Sequence, residues 1–414
     1  MKLKQYPKYK KSGVQWIGKI PEGWSKNKIK HNILPLEKSG LEASEGNQEG
    51  KYPFFTSSQI QSKFIDNVVF NNECLILGTG GMACVHYFNG KFSVSTDCLV
   101  LKKQKNVYMK FLWYQILSNI KVIDDLGFEG MGLRHLQKDF FYNMLVYLPS
   151  EKEQEKITDF LDSKTSEISK TIEVDKKLIE LLKEKRTALI NHVVTKGLNP
   201  KAKMKDSGIE WIGEVPEEAK ILPFRRVCYV NQGLQFPEDD RLAEPNEKSK
   251  IYITIKYIHA EEEGVKEYIP NPPKNVICKK EDILLARTGA TGEVITNQEG
   301  VFHNNFFKIN YNSNIFRNYL VYYLQVDSVK KILLLKAGVT TIPDLNHDAF
   351  LSTPFIYYEW KDQEKISSYL DKATSKIDQT IKKIEEKIEL LEEFKKSLIH
   401  HVVTGKVDVR EVVA

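Results

Sequence analysis

Apolar residues recur at steps of three and four along the last fifth of the chain: Ile366, Leu370, Ala373, Ile377, Ile381, Ile384, Ile388, Leu391, Phe394, Leu398 and Val402. Charged residues fill the positions between them, so the spacing predicts one long helix with a coiled-coil seam. A looser copy precedes it, with Ile157, Leu161, Ile168, Ile172, Ile179, Leu182, Leu189 and Val193 on the seam and Lys164, Asp175 and Lys185 interrupting it. Each stretch runs for about 40–45 residues without an internal Gly or Pro, roughly 60–65 Å of helix. A single apolar stripe of that length needs a partner. The nearest is the other helix, held at high effective concentration in the same chain. The intervening region is long enough to let the chain return, which predicts an antiparallel intramolecular pair; coiling against a second chain is the alternative.

The region before each helix reads differently. "YPFFTSSQI" (52–60), "CLILGTGG" (74–81) and "IYITIKYIH" (251–259) carry strand-like aromatic and β-branched residues and end in turn residues. "NVYMKFLWYQILSNI" (106–120) and "NIFRNYLVYYLQV" (314–326) place apolar positions at helical spacing, and their aromatics suit a core packed on a sheet. The fold class is therefore α/β (α+β).

These elements come twice. "SGVQWIGKIP" from Ser12 returns as "SGIEWIGEVP" from Ser207, an offset of 195 residues. "EQEKITDFLDSKTSEISKTIE" (153–173) returns as "DQEKISSYLDKATSKIDQTIK" (362–382), and "NHVVTKG" (191–197) as "HHVVTGK" (400–406), both at an offset of 209. Between these anchors the copies diverge, although "GKF" (90–92) faces "GVF" (300–302) and "HLQKDFF" (135–141) faces "DLNHDAF" (344–350). One plan is repeated with different contents, which suggests one task performed on two targets.

Composition adds limits. With 414 residues, 41% hydrophobic and 28% charged, the chain has the balance of a soluble protein of two to three domains. The lysines near the start are followed by no apolar stretch, so no signal peptide is expected, and no apolar run reaches membrane-spanning length. The five cysteines (74, 84, 98, 228 and 278) form no CxxC pair, which suits packed thiols in a reducing compartment rather than a disulfide frame or zinc site. The net charge of +6 is mild, but residues 1–30 hold nine lysines against one acid, Glu22.

Enzyme signatures fail on inspection. "NPPK" (271–274) resembles the Asn-Pro-Pro-aromatic motif of amino methyltransferases, but Lys274 cannot stack on a flipped base. Pro343-Asp344 with Glu359-Trp360-Lys361 superficially fits a metal-dependent nuclease, yet the matched positions of the first copy carry no acids. "GTGG" is followed by no Gly-Lys-Ser/Thr and is no P-loop. No catalytic set and no metal site is expected.

The paired openings, the junctions "LPSEKEQEKITDFLD" and "YEWKDQEKISSYLD", and the helix ends "RTALINHVVTKG" and "KKSLIHHVVTGK" occur in this order, twice over. In this the chain resembles the specificity (S) subunit of Type I restriction-modification systems over nearly its whole length. The second junction has Tyr358-Glu359 where a proline is usual. The resemblance implies two target-recognition domains, 1–149 and 200–358, separated by two long helices, 150–199 and 359–414, in a pseudo-twofold arrangement. It implies a non-catalytic DNA reader of a split recognition site, one half per domain. The partners it implies are double-stranded DNA, two modification (methyltransferase) subunits docked on the helices and restriction (motor-nuclease) subunits, with no membrane. It implies that S-adenosylmethionine, ATP and Mg sit on the partner subunits and that this chain binds no cofactor, in a prokaryotic cytoplasm. A coiled-coil scaffold without DNA readout is the alternative.

Candidate DNA contacts lie in the polar loops, where Arg, His, Asn, Gln and Thr suit base edges. They are Thr79, His86, Arg134 and His135 in the first domain. In the second they are Gln232, Arg287, Thr288, His303 and Asn304. Trp16 and Trp211 are expected to pack at the start of each domain against the end of the helix pair. If the helices set the distance between half-sites, inserting four residues near Thr195 should lengthen the unread spacer of the methylated motif and leave both half-sites intact. Sequencing methylated adenines in the host genome reads the outcome; an unchanged spacer would refute the role.

Overall fold

The computed structural model describes residues 4–104, 107–260, 266–338 and 343–412. Residues 339–342 of the polar, loop-like segment "GVTTIPD" (338–344) therefore lie outside the described residues, as does Asn106 of the expected helix 106–120. The chain divides into two units, Met1–Lys176 with Glu385–Ala414, and Lys177–Ile384. Each unit thus takes one α/β region and a half of each long helix.

In the first unit six strands form one sheet: β1 (Ile33–Pro35), β2 (Tyr52–Phe55), β3 (Lys63–Ile65), β4 (Phe70–Gly78), β5 (Val85–Val94) and β6 (Cys98–Lys103), in the order β1-β6-β4-β5-β2-β3. All neighbours are antiparallel except β2 and β5, which pair parallel through Phe54–Ser93 and Phe55–Val94. Alternation along β4 divides its side chains between two cores. Leu75 and Leu77 pack with α1 (Met109–Ser118) and the long helices, while Cys74 and Ile76 join Phe55, Phe92 and Val100 on the other face.

The long helices are α2 (Glu151–Lys196) and, at the end of the chain, Trp360–Val403, of 46 and 44 residues. Ile157, Leu161 and Ile168 of α2 share the first core with Leu398 and Val402 of the last helix. The two run antiparallel here: Lys387 Nζ lies within 3.0 Å of both carboxylate oxygens of Asp175, and Lys395 Nζ donates to Ser169 Oγ at 2.8 Å. Asp175, read as an interruption of the seam, is thus a buried carboxylate paired with the exposed Lys387. Phe394 departs from expectation and is 56% exposed. From Leu391 the stripe steps four residues to Lys395 and three to Leu398, which leaves position 394 to one side.

The second unit repeats the plan with one break. Its strands are β7 (Cys228–Gln232), β8 (Ser249–Ile253), β9 (Tyr268–Pro270), β10 (Ile277–Cys278), β11 (Ile283–Ala286), β12 (Val294–Ile295), β13 (Gly300–Phe302) and β14 (Phe306–Tyr311). They form two sheets, β7-β14-β11-β12 and β9-β8-β13-β10. The parallel pair recurs as β8 and β13. The single strand β5 of the first unit corresponds to β12 and β13, separated at Asn297, whose φ is 60°. Helix α3 (Arg317–Gln325) packs on the sheet, and α4 (Trp360–Val403) and α2 close the core with Ile366, Leu370, Ile190 and Val193. Arg186 Nε donates to Asp378 Oδ1 at 2.9 Å, so the helices are antiparallel in this unit too. The expected strand 251–259 ends at Ile253; Ile255–Ile258 is a short helix capped by Thr254.

The repeat extends to individual hydrogen bonds. Gln154 is buried; its Oε1 accepts from Tyr108 N–H at 2.9 Å and its Nε2 donates to Pro149 O at 3.0 Å. Gln363 does the same for Phe316 N–H at 2.8 Å and Tyr358 O at 2.7 Å, and donates also to Asn314 O at 3.1 Å. Two to three turns further along, Tyr114 donates to Asp162 and meets Thr165, while Tyr322 donates to Asp371 and meets Thr374, with the same distances of 2.7 and 3.3 Å in both. Burial pushes the Tyr114 hydroxyl up and that of Tyr322 up to about 12, so both remain protonated donors. These groups lock the start of α1 or α3 to the start of a long helix.

The repeated openings form the same turn. Ser12 N–H donates to Gly18 O at 2.8 Å and Ser207 N–H to Gly213 O at 3.0 Å. Each turn is tied to the end of a long helix by a lysine. Lys406 Nζ reaches Ile17 O at 2.7 Å and also Lys19 O, and Lys196 Nζ reaches Glu214 O at 2.6 Å. The glycine beside each lysine, Gly405 or Gly197, has a positive φ of 69° or 73° and terminates the helix. Trp16 remains 49% exposed with its Nε1–H on Asn119 Oδ1 at 3.0 Å, whereas Trp211 packs on the second core.

Replacing Gln363 with Ala would leave a buried N–H and two carbonyls without their partner. At about 1–3 kcal/mol per unsatisfied group, the second unit should lose several kcal/mol. Faster amide exchange around residues 314–316 and a lower Tm would register the loss.

Candidate nucleic-acid interface

In the first unit β4 ends at Gly78, and the turn that follows pairs with the loop leading to Leu136. Thr79 N–H and Oγ1 both donate to Asp97 O at 2.8 Å, Thr79 O accepts from Leu136 N–H at 2.9 Å, and Gly81 N–H donates to Arg134 O at 2.9 Å. Thr79, Arg134 and His135 are thereby brought together. Ser57 Oγ also donates to Asp97 O, at 2.8 Å, and next to it Ser58 O lies 2.8 Å from Nε2 of His86. The carbonyl can only accept, so Nε2 carries the proton. Burial lowers the pKa of His86 and keeps the ring neutral.

Arg134 is not a free donor. Its Nη1 lies 3.1 Å from Asp124 Oδ2, its Nη2 donates to Asp124 O, and the guanidinium sits 5.8 Å from the Phe128 ring. His135 is exposed at the rim of a cavity of ≈ 180 Å3 lined also by Lys38, Thr79, Cys98, Leu99, Leu136 and Lys138.

The second unit builds the matching junction from other residues. Arg287 N–H donates to Asn305 O at 2.7 Å and Arg287 O accepts from Leu345 N–H at 2.9 Å, the same two bonds that Thr79 makes in the first unit. The Arg287 side chain is spent inside the protein. Nε donates to Leu345 O at 3.1 Å, Nη1 to Asn304 O at 3.4 Å, and Nη2 lies 2.6 Å from Asp344 Oδ1. Thr288 Oγ1 donates to the same carboxylate oxygen at 2.5 Å, and Gln232 Nε2 donates to Asn304 O at 3.3 Å. Asn304 Oδ1 is buried with no hydrogen-bond partner among the described residues. His303 Nδ1 accepts from Asn305 N–H at 3.0 Å; burial first, and then Arg241, lower its pKa. All five candidates of the second region therefore meet at one junction.

Sequence reasoning missed Lys38, Lys138 and Asp344 as members of these junctions. Lys138 and Asp344 lie in the matched "HLQKDFF" and "DLNHDAF" segments, where the position was legible but the role was not. Asp344 and Glu359, the acids of the rejected nuclease motif, serve separate partners, Glu359 accepting from Lys220 at 3.2 Å. Among the described residues no group of three or more His, Cys, Asp or Glu could hold a metal ion, and no helix is long and apolar enough to cross a membrane. All five cysteines are buried free thiols. Residues 1–150 carry 20 Lys and Arg against 12 Asp and Glu, whereas 200–358 carry 20 against 21.

A family profile described as Type I restriction modification DNA specificity domain matches residues 21–183 and again 216–390. The Type I restriction enzyme MjaVIII specificity subunit of Methanocaldococcus jannaschii is 26% identical over 230 residues, which covers 53% of this chain and 52% of that one. The EcoDI specificity subunit of Escherichia coli is 26% identical over 173 residues, covering 42% and 38%. The chain thus spans about half or less of the length of these relatives. Among solved structures, a chain from work on complex assembly and conformational transition of the type I R-M system superposes with a TM-score of 0.71 at 13% identity, covering 93% of this chain and 98% of that one. The HsdS subunit of Thermoanaerobacter tengcongensis gives 0.53 at 14% identity, covering 94% and 98%. At these identities the likeness is one of fold.

The commitment of Arg134 to Asp124 makes a prediction. Arg134→Ala and Asp124→Ala should give the same loss of DNA binding without relaxing the sequence bound, because either change releases the loop that carries His135. Competition binding with base-substituted duplexes tests this; relaxed sequence in Arg134→Ala alone would make Arg134 a base contact instead.

Proposed function

This chain belongs to the Type I restriction modification DNA specificity domain family, and from that premise we infer that it is the non-catalytic reader of a split DNA site, one half per α/β region. One observation carries this reading: the same hydrogen-bonded frame occurs twice and holds two loop junctions of different side-chain chemistry. A frame kept to the level of Gln154 and Gln363, around junctions as different as Thr79/His135 and Arg287/Asp344, suits one operation applied to two sequences. The physical gain is in discrimination. A wrong base pair costs a reader about 1–3 kcal/mol, so two joined readers select a site that neither selects alone.

The long helices are the docking surface for two modification subunits in this reading. α2 leaves Val174, Leu178 and Leu181 exposed at steps of four and three, and α4 leaves Leu390 and Phe394 exposed, apolar positions in excess of those its own pairing covers. The modification subunits would bring S-adenosylmethionine and methylate adenine, and restriction subunits would bring ATP-driven motion and Mg-dependent cleavage. The residues of this chain then bind and position DNA and perform no bond chemistry.

Exchange of residues 25–148 for the corresponding region of another family member should change one half of the methylated motif and leave the other half and the spacer as they were. Genome-wide mapping of methylated adenines reads the result directly, and a change in both halves would end the two-reader scheme.

A further inference from the structure

The two junctions occupy the same place in the repeated frame but differ in electrostatic character. Their hydrogen bonds set the correspondence. Thr79 and Arg287 make the same two backbone bonds, to Asp97 and Leu136 in one case and to Asn305 and Leu345 in the other. His135, next to Leu136, therefore matches Asp344, next to Leu345. In the second unit the matched pair is Arg287–Asp344, an ion pair at 2.6 Å that fills the junction with its own countercharge. In the first unit the same two places hold Thr79 and His135, and a cavity of ≈ 180 Å3 remains open between them.

That cavity is ringed by cations. Lys38 and Lys138 line it beside His135 and the Thr79 hydroxyl, both lysines are exposed, and no Asp or Glu is among its lining residues. Neither lysine is matched by a cation at the second junction. At the offset of 195 residues that relates the openings, Lys38 falls on Gly233, where a Cβ would come within 2.3 Å of Phe302 O and His303 O, so no side chain fits. At the offset of 209 that relates the later segments, Lys138 falls on His347, whose ring packs on Phe307 at 4.6 Å. The imbalance of the whole regions, 20 basic to 12 acidic residues against 20 to 21, has the same sign.

We propose that the Lys38–Thr79–His135–Lys138 cavity is a binding site for a backbone phosphodiester of DNA, and that the second unit has no counterpart. The proposal rests on the DNA-reading function above and adds a division of labour. Lysine contacts to phosphate release counterions and make binding steeply salt-dependent without regard to sequence. The first region therefore anchors the duplex, and the second, with its junction already neutralised, contributes shape and base contacts.

The test uses the full chain assembled with its modification subunits and a duplex carrying the methylated motif, with affinity measured as a function of salt. Lys38→Gln with Lys138→Gln should flatten the slope of log K against log salt by about 0.9, the share of the one phosphate the site neutralises, with the methylated motif unchanged. Lys38→Arg with Lys138→Arg should keep the wild-type slope. Thr79→Arg with His135→Asp, which places the ion pair of the second unit in the first, should flatten the slope as the glutamine variant does. A wild-type slope in the glutamine variant, or a change in the methylated sequence, would overturn the phosphate site. Absence of DNA binding by the wild-type assembly would instead overturn the reading function itself.

Discussion

Two buried glutamines hold the architecture together. Gln154 and Gln363 each stand in the first turn of a long helix and make hydrogen bonds to backbone groups of the α/β region that precedes it. A buried amide that loses such partners is costly, so the angle between region and helix is closely determined at that point. The Tyr–Asp–Thr cluster two to three turns on adds a second fastening, and a junction reached through both is held on a rigid base. This is what a reader of base edges needs, because a displaced donor loses its hydrogen bond within a few tenths of an ångström.

Around that frame the two regions have diverged in charge and in continuity. The strand that runs unbroken from Val85 to Val94 in the first unit is split in the second, and the open cavity of one junction is replaced by an internal ion pair in the other. Neither change disturbs the glutamines or the cores beneath. Divergence is concentrated at the loop junctions, while the bonds that grip the helices recur in both units.

Much of this was legible in the sequence. The helices, their antiparallel pairing and the twofold plan follow from apolar spacing and repeated words, because burying a stripe leaves a periodic trace. Eight of the nine candidate residues meet at the loop junctions, and His86 lies on strand β5 beside them. Their roles were not legible. Arg134 and Arg287 have the side chains of base readers, but each is consumed by a carboxylate, Asp124 or Asp344, that is distant in sequence or sits across a loop. The matching of Thr79 with Arg287 was hidden because identity aligns threonine with threonine, while the backbone bonds align it one residue earlier. Phe394 has the composition of a seam residue, but the stripe passes through Lys395, whose long chain reaches Ser169.

The lysine ties at the helix ends have a further consequence for comparing distant relatives. One copy spells Lys196-Gly197 and the other Gly405-Lys406, so a column-by-column alignment would record a lost cation and a lost glycine. Yet Lys196 reaches Glu214 O and Lys406 reaches Lys19 O, the same carbonyl of the same turn, and both glycines still terminate their helices with positive φ. What is inherited is the location of an ammonium nitrogen in space, and the letter that supplies it is free to move along the chain.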